Sequence, residues 1–253
     1  MKEGKCKLCR QTKPLIKKSH IISEFFYKEA GLYDEHHQFG VHFFKEGNYQ
    51  RSSKRNLGEY ESYILCQDCE KKFSEQESYA RATLFSTNSV PVRKASQISY
   101  SSNDGLTTAH IKNINYQRFK LFLLSLLWRA SISSRPFFNE VSLDDLHEER
   151  PPGMLLSEDA GDEDEYLPMI FTSARDNSIS KDFVSQPRTS TFSDHVIVTF
   201  PMADLFISFV VGLPKDRIPP HYRQVAIRKS NEMGMITLPN SYGREWLRGF
   251  VGL

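Results

Sequence analysis

Two Cys-x-x-Cys pairs, Cys6-Lys-Leu-Cys9 and Cys66-Gln-Asp-Cys69, account for all four cysteines of this 253-residue chain. A Cys-x-x-Cys turn aims two thiolates at one point, and two such turns complete the tetrahedron that Zn²⁺ prefers. A closed site of this kind has no open coordination position, so its zinc is expected to fold the chain and to perform no chemistry. A disulfide framework would need an oxidising compartment, and Met1-Lys2-Glu3-Gly4-Lys5 begins no apolar secretory leader. A thioredoxin-like redox pair would leave the second pair without a role. The segment between the pairs is too polar to build a large core alone, which favours folding coupled to metal binding.

The elements around these cysteines must bring them together. Leu15-Ile16 and Ser19 to Ile22 read as a short β-hairpin-like segment, and Glu24 to Ala30 as a helix ended by Gly31. Residues 33 to 60 are polar and interrupted by glycine, with His36, His37 and His42, and read as a long loop. Tyr63-Ile64-Leu65 leads into Cys66, and Glu70 to Leu84 reads as a helix whose apolar side carries Phe73, Tyr79 and Leu84. Knuckle, hairpin, second knuckle and helix describe a zinc-bound treble clef over residues 1–85. Residues 86–253 read as a mixed helix-plus-antiparallel-sheet domain, so the fold class is α+β. In that part Val90 to Val92 is strand-like. Tyr116 to Ser131 is apolar almost all round, as a buried helix is, with Pro136 as its stop. Glu158 to Glu165 reads as a solvated, mobile acidic loop. His195–Phe200, Leu205–Val211, Gln224–Ile227 and Met235–Leu238 read as strands, punctuated by Pro201, Gly212-Leu213-Pro214 and Pro219-Pro220.

The residues beside the cysteines carry a resemblance. Cys-x-x-Cys, then Ser19-His20-Ile21-Ile22 followed by Phe25-Phe26-Tyr27, then Leu65-Cys66-Gln-Asp-Cys69-Glu70 leading a helix with Phe73 and Glu77, resembles the zinc-knuckle HNH, or ββα-metal, endonucleases. The segment from Phe119 to Arg129 resembles the same bacterial branch. The resemblance covers about the first 85 residues. It implies hydrolysis of a phosphodiester, for which a base must deprotonate water and a cation must stabilise charge on the phosphorus oxygens. It implies His20 as the general base, and one Mg²⁺ or Mn²⁺ held by Glu70 with help from Ser19, which stands where the family usually has Asp. Ser19 offers only a neutral oxygen, so the site keeps one carboxylate. Ser23 replaces the usual Pro, and Glu61 stands about where many members have Asn. The resemblance further implies DNA in preference to RNA as substrate, and a place as effector in restriction or antiphage defence beside a partner such as an ATPase. Lys17, Lys18, Lys71 and Lys72 flank the site as expected for phosphate contacts.

Plainer readings stand beside these. Taken alone, His20 reads as a satisfied structural histidine, and Glu70 as an acid favoured by a helix N-terminus. Glu77, two turns beyond Glu70, is either a supporting acid or a surface carboxylate. His36 and His37 either reach the site or face solvent. A non-catalytic zinc module that binds nucleic acid or protein accounts for the same cysteines. A net charge of +2 excludes a polycation, so nucleic-acid binding has to come from local patches, such as that of Lys2, Lys5, Lys7, Arg10, Lys13, Lys17 and Lys18. The longest apolar run, Leu121 to Leu127, is too short to span a bilayer, and a cytoplasmic, reducing location is expected.

Overall fold

The structure, a computed structural model, describes residues 2–45, 48–85, 97–103, 106–173, 183–203 and 205–238. Val90 to Val92 lie outside the described residues. The fold is mixed α+β.

Strands β1 (Lys2–Lys5) and β2 (Thr12–Leu15) form an antiparallel hairpin, and its turn is the first Cys-x-x-Cys. Arg10 closes that turn in the left-handed conformation at φ 58°, and its amide donates to Cys6 O at 2.8 Å. The expected hairpin between Leu15-Ile16 and Ser19–Ile22 is not formed. β3 (Ser19–His20) instead pairs with β6 (Tyr60–Glu61), Ser19 opposite Glu61 and His20 opposite Tyr60. Ile16 exchanges backbone hydrogen bonds with Tyr63 and Leu65 at 3.0 and 2.9 Å. No turn-forming residue separates Ile16 from Ser19, so the segment stays extended against residues 60–66 and does not fold back on itself. Gly58 allows β6 its position: a Cβ there would lie 2.3 Å from Cε2 of the Tyr27 ring.

Helix α1 (Glu24–Glu29) buries Phe25, Phe26 and Tyr27. The long loop expected over residues 33–60 is a correction: most of it is a second hairpin, β4 (Phe39–Lys45) against β5 (Asn48–Arg55), with a register irregularity at Phe43/Phe44. Phe39, Val41 and Phe43 do alternate with period two, but the partner Asn-Tyr-Gln-Arg-Ser-Ser-Lys-Arg has no apolar period, and a strand held by backbone pairing does not show in composition. Helix α2 (Gln67–Phe85) begins directly after Cys66. Its buried residues Cys69, Phe73, Gln76 and Ala80 recur at spacings of four and three, one stripe of a helix face.

That helix packs on α3 (Tyr116–Ser131), which starts from an Asn115 cap and is buried from Phe119 to Ala130. α3 ends before Pro136, which opens a short 3-10 turn over Pro136–Phe138 and does not terminate the helix. The sheet of the second half has seven strands, in the order β10 (Arg188–Thr191), β11 (Val196–Met202), β12 (Leu205–Val211), β9 (Leu167–Ser173), β13 (Glu232–Leu238), β8 (Leu106–Lys112) and β7 (Gln97–Asn103). Its pairings are antiparallel except that between β13 and β9. One buried apolar cluster runs from Cys6 and Leu8 through Phe26, Phe73, Phe122 and Trp128 to Phe200 and Met233.

Two further expectations are corrected. Gln224–Ile227 is not a strand: helix α5 (Pro220–Val225) follows α4 (Asp145–Ser157) in the chain and ends at Val225. Pro220 occupies the first helical turn, where its missing N–H costs nothing, so Pro219-Pro220 starts an element and does not break one. Nor is Glu158 to Glu165 a free acidic loop. Asp164 pairs with Arg223 at 3.1 Å and Arg228 at 3.5 Å, Asp162 with Lys215 at 3.2 Å, and Glu163 with Arg228. Buried Lys120 of α3 donates to Tyr116 Oη at 3.1 Å and to the Asp162 carbonyl. Opposite charges distant in sequence fix what a charge run alone suggests is mobile. Among the described residues no helix is long and apolar enough to cross a membrane.

Candidate metal centre and the polar cluster beside it

Folding brings the two knuckles together. The Sγ atoms of Cys6, Cys9, Cys66 and Cys69 all lie within 4.8 Å of one another. Cys9 Sγ and Cys66 Sγ are 3.9 Å apart. Four sulfurs at about 2.3 Å from one tetrahedral zinc stand about 3.8 Å apart, so the donor set and its spacing fit that ion. All four cysteines are free thiols, and three of them are buried. The Cys66 amide donates to Cys6 Sγ at 3.4 Å, and Lys7 N to Ile64 O at 2.8 Å ties the first knuckle to the strand leading into the second. Burial pushes the Cys6 and Cys69 thiols above their ordinary range. At Cys9 burial acts in the same direction, but the Gln11 amide and the neighbouring thiols outweigh it and hold the group low. A divalent ion would replace the protons these crowded thiols otherwise keep.

The segments that carry the cysteines also carry the other candidates. Ser19 is fully buried in β3, and its hydroxyl donates to Glu70 Oε2 at 2.7 Å. Glu70 follows Cys69 in the first turn of α2. Burial pushes its carboxyl above the usual range; Arg129 and the Ser19 hydrogen bond pull it back, and Glu77 raises it further. Burial pushes the His20 imidazole below its ordinary value, against the carboxylates of Glu24 and Glu77 and with help from Arg129. Burial at His20 therefore favours the neutral imidazole over the charged one. His20 and Glu70 both feel Arg129 and Glu77, so the two candidates share one electrostatic neighbourhood.

Arg129 holds that neighbourhood together. Its side chain is fully buried near the end of α3. It donates to the His20 carbonyl, to Glu77 Oε1 at 2.9 Å and to Ser125 O at 3.1 Å, and it lies 4.9 Å over the Phe73 ring. One guanidinium thus fixes the backbone of β3, the polar edge of α2 and the core. Sequence reasoning assigned Arg129 no role. The signal was a permanent cation at the end of a run of buried apolar residues, where an unpaired charge is too costly to persist. Glu77 is accordingly an ion-pair partner at the rim of this cluster and is about one-fifth exposed. Glu61 accepts hydrogen bonds from Ser133 Oγ at 3.0 Å and Ser134 N at 2.9 Å, tying β6 to the loop after α3.

The four flanking lysines differ among themselves. Lys17 and Lys71 are exposed. Lys18 Nζ lies 5.6 Å over the Tyr60 ring. Lys72 is engaged in an ion pair with Glu158. His36 and His37 are both exposed, and His37 stacks on Tyr33 at 4.1 Å between ring centres, with Nε2 3.8 Å from Glu24 Oε1. Among the described residues, the cysteines are the one group of three or more His, Cys, Asp or Glu side chains whose ligand atoms converge as a metal requires.

Compared with protein-family models, with curated proteins and with solved structures, the chain finds no match in any of the three.

Proposed function

We propose that the protein is a metal-dependent endonuclease of the HNH type that hydrolyses phosphodiester bonds, in DNA in preference to RNA, on a zinc-stabilised treble clef. The observation that carries this reading is the 2.7 Å contact between Ser19 Oγ and Glu70 Oε2. It joins the residue before the candidate base to the residue after the last cysteine, beside a thiol cluster whose spacing suits zinc.

In this reading the zinc has a scaffolding role: it anchors β2 and the start of α2 so that Ser19 and Glu70 meet. His20, neutral and partly exposed, accepts a proton from water attacking phosphorus. Glu70 and Ser19, a carboxylate and a neutral oxygen, would hold Mg²⁺ or Mn²⁺, hard ions that take oxygen ligands and retain water. Their pairing supports that fit, since a carboxyl pushed up by burial gains from a cation beside it. When bound, the ion would neutralise charge developing on the phosphate oxygens. Exposed Lys17 and Lys71 would contact the backbone without reading sequence.

A second reading has one observation in its favour. Glu70 already accepts from Ser19, and no second metal cluster forms among the described residues. That arrangement suits a non-catalytic zinc module that binds nucleic acid or protein. Incubation of the zinc-loaded protein with supercoiled plasmid and Mn²⁺ or Mg²⁺, beside a His20→Ala variant, separates the two. The nuclease reading expects nicking that the variant loses. Binding without cutting, unchanged by the substitution, favours the module.

A further inference from the structure

His20 does not stand alone in its pocket. Four residues on, at the start of α1, Glu24 places Oε2 3.6 Å from His20 Nε2. Both atoms are buried, and neither has a hydrogen-bond partner among the described residues. The His20 side chain keeps 28% of its surface exposed, so the part of the ring that meets solvent lies away from Nε2. The other oxygen of Glu24, Oε1, is fixed by the Tyr33 hydroxyl at 2.7 Å, with His37 Nε2 at 3.8 Å and Lys28 Nζ at 3.9 Å behind it. Tyr33 is held in turn by its stack on His37 and an edge contact with Phe39 at 5.4 Å.

We propose that Glu24 is a positioning residue for His20: its carboxylate, braced by Tyr33, fixes the imidazole proton on Nε2 and leaves Nδ1 as the lone pair that faces water. The inference rests on the nuclease reading given above. A neutral imidazole carries its one proton on either nitrogen, and a base works only if the nitrogen facing the reacting water is bare. A carboxylate beside the other nitrogen selects that tautomer and holds the ring plane. At 3.6 Å the pair is a close contact and not yet a hydrogen bond. Such contacts are commonly long before substrate binds and shorten in the reacting complex. Both atoms are buried without another hydrogen-bond partner among the described residues, which favours that closure. His20, Glu24, Tyr33 and His37 lie on β3, α1 and the turn before β4, and Phe39 at the start of β4 abuts the Tyr33 ring.

Two measurements on the full-length, zinc-loaded protein test the proposal. The ¹⁵N shifts of the His20 ring report its tautomer directly. The wild type should show the Nε2–H form, and Glu24→Ala a mixture of forms with the rest of the spectrum retained. In plasmid nicking, Glu24→Ala should lower kcat roughly 100-fold with KM little changed, as loss of an oriented base does. Glu24→Gln, which keeps an acceptor oxygen, should recover part of the loss, and Tyr33→Phe should cost less than Glu24→Ala. An Nδ1–H tautomer in the wild type overturns the proposal whatever the activity. If His20→Ala abolishes cutting while Glu24→Ala cuts at the wild-type rate, the brace is refuted and the nuclease reading stands. If the wild type does not cut, the nuclease reading fails and the brace with it.

Discussion

Arg129 is the residue on which most of the polar cluster depends. A guanidinium with no exposed surface is tolerable only where acceptors meet its N–H donors, and here the acceptors come from β3, α2 and α3 itself. Removing Glu77 would leave that cation buried and without its carboxylate. Glu77→Ala should therefore cost about 3–5 kcal/mol, read from urea unfolding, whereas Glu77→Gln should cost much less because an acceptor remains. Equal costs would mean that the charge both variants lose matters more than the acceptor and packing that Gln keeps. At this scale the cysteines were fully legible, because two residues between paired ligands is a local constraint that the backbone alone satisfies. The Ser19–Glu70 contact was expected only through the resemblance. Arg129, Glu24 and Tyr33 were not assigned, since their partners are chosen by how helices and strands pack and no spacing in the chain records that choice.

At the scale of elements, periodic segments were the readable ones. α3 appeared where its apolar run placed it, and α1 and α2 began and ended within a few residues of expectation, since a buried stripe or a continuous apolar surface is written in the sequence. β5 and α5 were missed because one is polar throughout and the other opens on two prolines. The acidic loop was misread for a different reason: its counter-charges, Lys120, Lys215, Arg223 and Arg228, lie far away in the chain. Lys120 gives that loop a measurable signature. Burial lowers its amine from 10.5 to about 8, against the pull of Glu165 and Asp162. Between those values the unfolded chain holds a proton that the folded chain has released, so this group makes stability rise with pH across that window. The stability difference between wild type and Lys120→Met should accordingly grow in favour of the wild type from pH 8 to pH 10.5. A flat difference would show the amine to be solvated.

For the whole molecule, the cysteine cluster is not an appendage. Cys6, Cys66 and Cys69 belong to the same buried cluster as Phe73, Trp128 and the sheet residues Phe200 and Met233. The protein should contain one zinc per chain by elemental analysis. Its removal by a strong chelator should unfold β1, β2 and the start of α2 and lower the thermal midpoint of the rest, because metal affinity is folding free energy when no site exists in the unfolded chain. A metal-free chain with unchanged near-ultraviolet circular dichroism would contradict that coupling. The spacing of the four cysteines suits a zinc ion, and in the proposed reading catalysis depends on the pair that such an ion would position. The most direct measurement is therefore nicking of supercoiled plasmid by zinc-loaded wild type and by Glu70→Gln across a range of Mn²⁺ concentrations. Mn²⁺-dependent nicking by the wild type and its loss in the variant are expected, with zinc content and fold unchanged. Plasmid left supercoiled by the wild type, or cut equally by both, would contradict the proposed reading.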